Sequence, residues 1–297
     1  MGGRCEKSPS PPSITDEDRK AVKILICVAG MPYAKGTVRC GRLVAKATGA
    51  RVGVLTVLDR TQDVQQAQAT LDQARQMLEG LVVKTKVRRG LPAEEILRET
   101  EEGQYDLVVI GAREELTLAE HLLGSVARQI VHRATVPVLV VRGACHSLAR
   151  LLICTGGRAY SEPAIKVGTE LAKATGAWVT ILHVVSPVPT MYTGLREMEE
   201  HIADFLQRDT PEARHLKQVA ELLEQHGVQG ELELRHGVVA DEILREAWKG
   251  GYDLIVVGSS YARGGISRYL LGDVTRQIVE YSTRPVLVVP PPKSGGG

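Results

Sequence analysis

The residues best suited to hold a ligand are two sets of glycines, each beginning at the end of a short apolar run. The first reads Val108-Val109-Ile110-Gly111-Ala112-Arg113-Glu114-Glu115 and resumes at Leu122-Leu123-Gly124-Ser125-Val126. The second reads Ile255-Val256-Val257-Gly258-Ser259-Ser260, then Arg263-Gly264-Gly265-Ile266-Ser267-Arg268, then Leu270-Leu271-Gly272-Asp273-Val274. Each is a strand, a loop and a small residue opening a helix. Lacking a Cβ, glycine lets backbone come close to a ligand, and free N–H groups at a helix start attract a phosphate. Anion binding beyond the ends of strands is the chemistry these segments suggest. The plainer alternative is that the same glycines are only turns and helix caps.

Catalytic and metal chemistry have less behind them. His183 stands near a strand end where Thr56 stands in the earlier part of the chain, and it reads as a hydrogen-bonded framework residue rather than a base. The other histidines lie apart, without metal-ligand spacing. Thr155-Gly156-Gly157-Arg158-Ala159-Tyr160-Ser161 reads as a glycine turn between strand and helix. The five cysteines (Cys5, Cys27, Cys40, Cys145 and Cys154) form no CxxC, and an odd count suggests no disulfide framework. Cys27 and Cys154 sit within apolar strands and read as core thiols of a reducing compartment. No catalytic residue and no metal site are expected.

Alternating elements must carry the glycine segments. Strand signals at Val22–Ala29, Arg51–Leu58, Val82–Arg88, Asp106–Ile110 and Pro137–Val141 alternate with helix signals at Tyr33–Thr48, Gln62–Glu79, Pro92–Glu102 and Leu122–Arg133. Gly49 is placed to stop the first helix, and Pro92 to open the third. Such alternation predicts right-handed crossovers and a doubly wound, mostly parallel sheet. Ligands bind such sheets beyond the carboxyl ends of the strands, where the strand order reverses.

The whole pattern then occurs again. Ala45-Lys46-Ala47-Thr48-Gly49-Ala50 returns unchanged at Ala172 to Ala177, 127 positions on. Glu95-Ile96-Leu97-Arg98-Glu99 matches Glu242 to Glu246, and Tyr105-Asp106-Leu107 matches Tyr252 to Leu254, now 147 apart. The second copy therefore carries an insertion of about twenty residues and, farther on, one of a single residue. Expected units are a disordered segment 1–20, a domain 21–142, a linker 143–148, a second domain 149–290 with the inserted segment 186–210, and a flexible tail 291–297. Within the insertion Leu195, Met198, Ile202, Phe205 and Leu206 fall on one helical face. That face either covers its own domain or docks a protein partner or a second copy of the chain.

Bulk properties narrow the partners. A chain of 297 residues with a formal charge of +2 has no field that argues for nucleic acid or an anionic membrane. With one Phe and 4% aromatic residues, stacking platforms for single strands are not expected. No apolar run reaches the roughly 18 residues of a membrane span, and the start of the chain lacks a signal peptide's apolar segment. A cytoplasmic protein is the expectation.

Together, in order and twice, these glycine segments and the closing Pro-Val-Leu-Val-Val strands resemble universal stress protein domains. These belong to the wider group of adenine-nucleotide α-hydrolase-like folds. The resemblance implies two tandem Rossmann-like α/β domains, each with a five-stranded, mostly parallel sheet. Family members that bind ATP share a pattern of Gly, two residues, Gly, nine residues, Gly, then Ser or Thr. Gly111 and Gly124 keep the outer spacing and Ser125 follows, but Glu114 replaces the middle glycine. In the second copy Gly258 and Gly272 stand one residue farther apart, Ala262 takes the middle place and Asp273 replaces the final Ser or Thr. The Asp that binders tend to place after the first strand is Ala29 or Gly156 here. Carried over residue by residue, the nucleotide site would use Gly111, Gly124, Ser125 and Val126 in the first copy. In the second it would use Val184, Gly258, Ser259, Gly264, Gly265 and Gly272. Backbone near Val57 and Val184 would meet adenine.

The departures have a physical direction. A carboxylate about 4 Å from a phosphate charge is opposed by roughly 4 kcal/mol at an effective dielectric of 20. Glu114 and Glu115 therefore work against a triphosphate in the first copy, and Asp273, read as an N-cap, would occupy the anion position itself in the second. Three functions follow from the resemblance and stay open at this stage. One is a non-catalytic cytosolic stress-response module with degenerate adenine-nucleotide sites. Another is an ATP-binding sensor, with or without slow ATP hydrolysis, that uses the Arg263–Gly265 loop. The third is a protein-interaction module. Family members commonly dimerise through their last strands, which implies an intramolecular version here, Pro137–Val141 against Pro285–Val289.

Overall fold

The computed structural model describes residues 21–58, 63–112, 124–143, 145–156, 161–186, 202–259 and 272–291. The first half contains β1 (Lys23–Cys27), α1 (Lys35–Thr48), β2 (Arg51–Leu58), α2 (Val64–Met77), β3 (Val83–Arg89), α3 (Pro92–Glu102), β4 (Leu107–Gly111), α4 (Ser125–Arg133) and β5 (Val138–Val141). The second contains β6 (Arg150–Thr155), α5 (Glu162–Thr175), β7 (Trp178–Val185), α6 (Ile202–Gln207), α7 (Pro211–Gln225), β8 (Gly230–His236), α8 (Val239–Lys249), β9 (Leu254–Gly258), α9 (Asp273–Tyr281) and β10 (Val286–Val289).

All ten strands form one sheet in the order β3-β2-β1-β4-β5-β10-β9-β6-β7-β8. Neighbours within each half are parallel. The two five-stranded halves join where β5 and β10 pair antiparallel, with Val140 opposite Val286 and Val138 opposite Val288. This is the pairing expected of the last strands. It leaves neither apolar strand as an open edge.

Alternation along the strands builds two core layers. Ile24 and Ile26 face one side with Val38 and Val44 of α1 and Leu71 of α2, while Leu25 faces the other with Ile96 of α3 and Ile130 of α4. Both layers run on into the second half, through Ile165 and Leu216 on one side and Ile243 and Ile278 on the other. Each such fully buried side chain stabilises by about 1.5–3 kcal/mol. A buried polar contact also bridges the halves: Arg142 donates to the Glu280 carbonyl at 2.7 Å.

The repeated motifs turn out to be scaffolding. Asp106 Oδ2 accepts from Lys23 N at 2.8 Å, and Asp253 Oδ2 accepts from Ala149 N at 2.8 Å, so each fixes the first strand of its half. The glutamates of the Glu-Ile-Leu-Arg-Glu repeat grip an arginine on the edge strand. Glu95 and Glu99 lie 3.0 and 2.7 Å from Arg88, and Glu246 lies 2.7 Å from Arg235. Gly49 and Gly176 end α1 and α5 at φ 65° and 68°, the left-handed conformation that glycine adopts at little cost.

Element boundaries differ from the sequence reading by a few residues, for local reasons. The strand expected at Asp106 begins at Leu107, because Asp106 is spent on Lys23. The helix expected from Gln62 begins at Val64, after Asp63 accepts from the Gln65 amide. In the inserted segment, α6 buries Phe205 and packs Ile202 and Leu206 against its own half's core. Leu195 and Met198, like segments 1–20 and 292–297, lie outside the described residues.

Candidate functional site

In each half the strand order reverses between the first and fourth strands, β1 and β4, then β6 and β9. The crevice beyond their carboxyl ends is the binding position this topology offers. Crossover helices run back against the strands, so α4 and α9 begin at that same edge.

In the first half the described part of the edge carries small residues, Thr56, Gly111 and Ala112 among them. Gly111 ends β4, and a Cβ there would come within 2.6 Å of Thr37 Oγ1 on α1. Close helix packing therefore already requires this glycine, apart from any ligand. Thr56 donates to the Val28 carbonyl at 3.0 Å, and Ala112 N donates to the Val141 carbonyl at 3.0 Å. Gly124 is the N-cap of α4, and no side chain caps the helix. Ser125 is exposed, while Val126 packs against the core. Among the described residues no side chain caps the start of α4, and helix-start N–H groups of this kind attract an anion, with Ser125 beside them.

The second half repeats the backbone bond to the last strand and adds a side-chain one. Gly258 accepts from Thr275 Oγ1 at 3.0 Å, and Ser259 N donates to the Val289 carbonyl at 2.9 Å. Gly272 is the N-cap of α9, again without a side-chain cap. Asp273 is therefore the first helical residue and not the N-cap expected from sequence. Its carboxylate is 87% exposed and stands 3.7 Å from Arg276. Val184 is buried in β7. Gly264 and Gly265, along with Arg113, Glu114, Glu115 and Ala262, lie outside the described residues.

A buried polar cluster stands beside this edge. His215 Nε2 and Thr155 Oγ1 are 3.0 Å apart, and His183 Nδ1 lies 3.1 Å from the Thr155 carbonyl, which requires the proton on that nitrogen. Both rings are buried. Phe205 of α6 lies against His183 with ring centroids 5.8 Å apart. Burial lowers the His215 pKa, Glu162 opposes that shift and His183 adds to it. His183 is thus the hydrogen-bonded framework residue its position suggested. His215 was missed as its neighbour, although its i+4 spacing from Val219 places it on the buried face of α7.

The first-strand cysteines behave as core residues. Cys154 is buried and Cys27 half-buried, and desolvation pushes both thiols up. Among the described residues no group of His, Cys, Asp or Glu is placed to hold a metal ion, and no helix is long and apolar enough to cross a membrane.

The chain matches the universal stress protein family over residues 21–142 and again over 148–290. A universal stress protein of Mycolicibacterium smegmatis is 30% identical over 237 residues, which span 77% of this chain and 76% of that one. Another, from Methanocaldococcus jannaschii, is 33% identical over 154 residues, 52% of this chain and 89% of its own length. Among solved structures, a universal stress protein from Archaeoglobus fulgidus superposes with a TM-score of 0.68 at 20% identity, covering 91% of this chain and 97% of its own. A functionally unknown protein from Pseudomonas aeruginosa gives 0.70 at 19% identity, covering 93% and 95%. At these identities the two structures speak for the fold alone.

Proposed function

The chain belongs to the universal stress protein family, with two of its domains in tandem, and from that premise we propose a non-catalytic stress-response module whose adenine-nucleotide sites have lost the triphosphate. The units are taken as 21–142 and 149–290, joined by 143–148 and paired as an internal dimer through β5 and β10. A cytoplasmic setting goes with this reading.

Asp273 carries the proposal. It puts an exposed carboxylate on the first turn of α9, beside the uncapped N–H groups that a phosphate would need. A carboxylate there satisfies the helix dipole and repels a second anion. Sequence supplies the counterpart in the first half, where Glu114 and Glu115 follow Gly111. The His183–His215 pair supports the absence of turnover, because one ring nitrogen of each is held by Thr155 in a buried setting.

Nucleotide content of the purified full chain, released by denaturation and read by chromatography, tests the proposal. The expected result is no stoichiometric ATP or ADP. Co-purified nucleotide near one per chain would overturn it and favour the ATP-sensor reading.

A further inference from the structure

Between β5 and β6 the chain runs along one face of α1. Three helix positions on that face meet the linker. A Cβ on Gly36 would lie 3.2 Å from the Gly143 carbonyl, Arg39 Nη1 donates to His146 Nδ1 at 3.3 Å, and Cys40 Sγ stands 2.6 Å from Cys145 Sγ. Spacing of three and four residues keeps these positions on one side of a helix. Cys40 and Cys145 are both buried, and both are free thiols.

We propose that Cys40 and Cys145 are a modification site, forming a reversible intramolecular disulfide on exposure to a peroxide and so fastening the linker to α1. The side chains already point at one another from a helix and an extended segment, so the bond asks for no rearrangement of either element. The linker also meets the second half, because a Cβ on Gly143 would lie 3.2 Å from the Thr283 carbonyl. The bond would hold in place the one segment that joins both halves. No second pair exists by repetition: the position matching Cys40 is Val167.

The chemistry balances with one peroxide. A thiolate attacks a peroxide oxygen, the O–O bond breaks, and sulfenic acid forms as hydroxide leaves. The second thiolate then attacks that sulfur, forms the S–S bond and expels a second hydroxide. The two sulfurs give up two electrons, and with their two protons the peroxide ends as two waters. In the closed state the hydrogen bond with Cys145, together with burial, holds Cys40 protonated. Oxidation therefore waits until the linker lifts away from α1, which places its rate under the control of local opening.

The test treats the reduced full chain with hydrogen peroxide, then denatures it, alkylates the remaining thiols and maps peptides by mass spectrometry. A linked peptide pair containing Cys40 and Cys145, lost after dithiothreitol, is the expected result. Because the bond closes a loop of about 100 residues, oxidation should raise Tm by roughly 5–10 °C. C145S should show no such rise. Recovery of Cys40 and Cys145 as alkylated thiols or sulfinic acids would overturn the proposal, as would linkage of either one to Cys5. Peptide mapping uses the wild-type chain, so it decides the matter even if C145S folds poorly.

Discussion

At the end of β1 the Val28 carbonyl takes a hydrogen bond from Thr56, a small side chain. At the matching point in the second half the Thr155 carbonyl meets His183, whose ring is covered by Phe205 and whose neighbour His215 reaches the Thr155 hydroxyl. The backbone path is the same, yet among the described residues the second half packs a buried histidine pair where the first has a single threonine. The inserted segment explains the difference. It lies just after β7, and α6 brings Phe205 over the strand end, so burial there had to be met with hydrogen-bonded polar groups. Duplication kept the sheet and let the two edges diverge.

The largest effect should come from removing that cover. F205A empties a buried aromatic position and should cost about 3–5 kcal/mol, read from the urea midpoint. If it proves neutral, α6 does not hold the second edge closed.

Next comes a pair of equivalent arginines in unequal settings. Arg88 is only 12% exposed and holds Glu99, which is 5% exposed, so R88A should cost about 3 kcal/mol by stranding buried charge. Arg235 is 43% exposed. R235A should cost roughly 1 kcal/mol or less in the same denaturation series. Equal losses would mean the two networks are equivalent after all.

Smaller changes should appear in nucleotide affinity. Replacing Glu114 and Glu115 by Gln should tighten ATP binding by about tenfold in the first half. D273S should gain less while Phe205 covers the second edge, and calorimetry would show whether F205A releases the remainder. A larger gain from D273S alone would reverse the comparison.

The smallest effect is a pH dependence confined to the second half. The folded pKa of His215 lies below its ordinary value of 6.5, chiefly through burial. The unfolded chain therefore binds more protons on acidification. The stability contributed is full above pH 6.5 and is lost as pH falls through the folded value. H215Q should flatten that decline in a series of urea midpoints taken from pH 7.5 downward, and an unchanged slope would remove His215 from the account.

Much of the fold was legible because hydrophobic runs and glycine stops occur twice, each copy checking the other. The pairing of β5 with β10 was legible only through the resemblance, because family members commonly dimerise through their last strands. The site was less legible. Gly111 looked like a ligand contact, but its tight approach to Thr37 gives it a packing reason that spacing alone cannot reveal. Asp273 read as a cap, whereas Gly272 occupies that position and leaves the carboxylate in solvent. Cys40 and Cys145 are 105 residues apart and fit no motif, so only the fold brings them together.

Loss of the triphosphate site is tested most directly by calorimetric titration of the purified full chain with ATP up to millimolar concentration, with phosphate release followed in the same samples. The account predicts no saturable heat and no phosphate release. A saturable isotherm in the micromolar range, or steady release of phosphate, would contradict it.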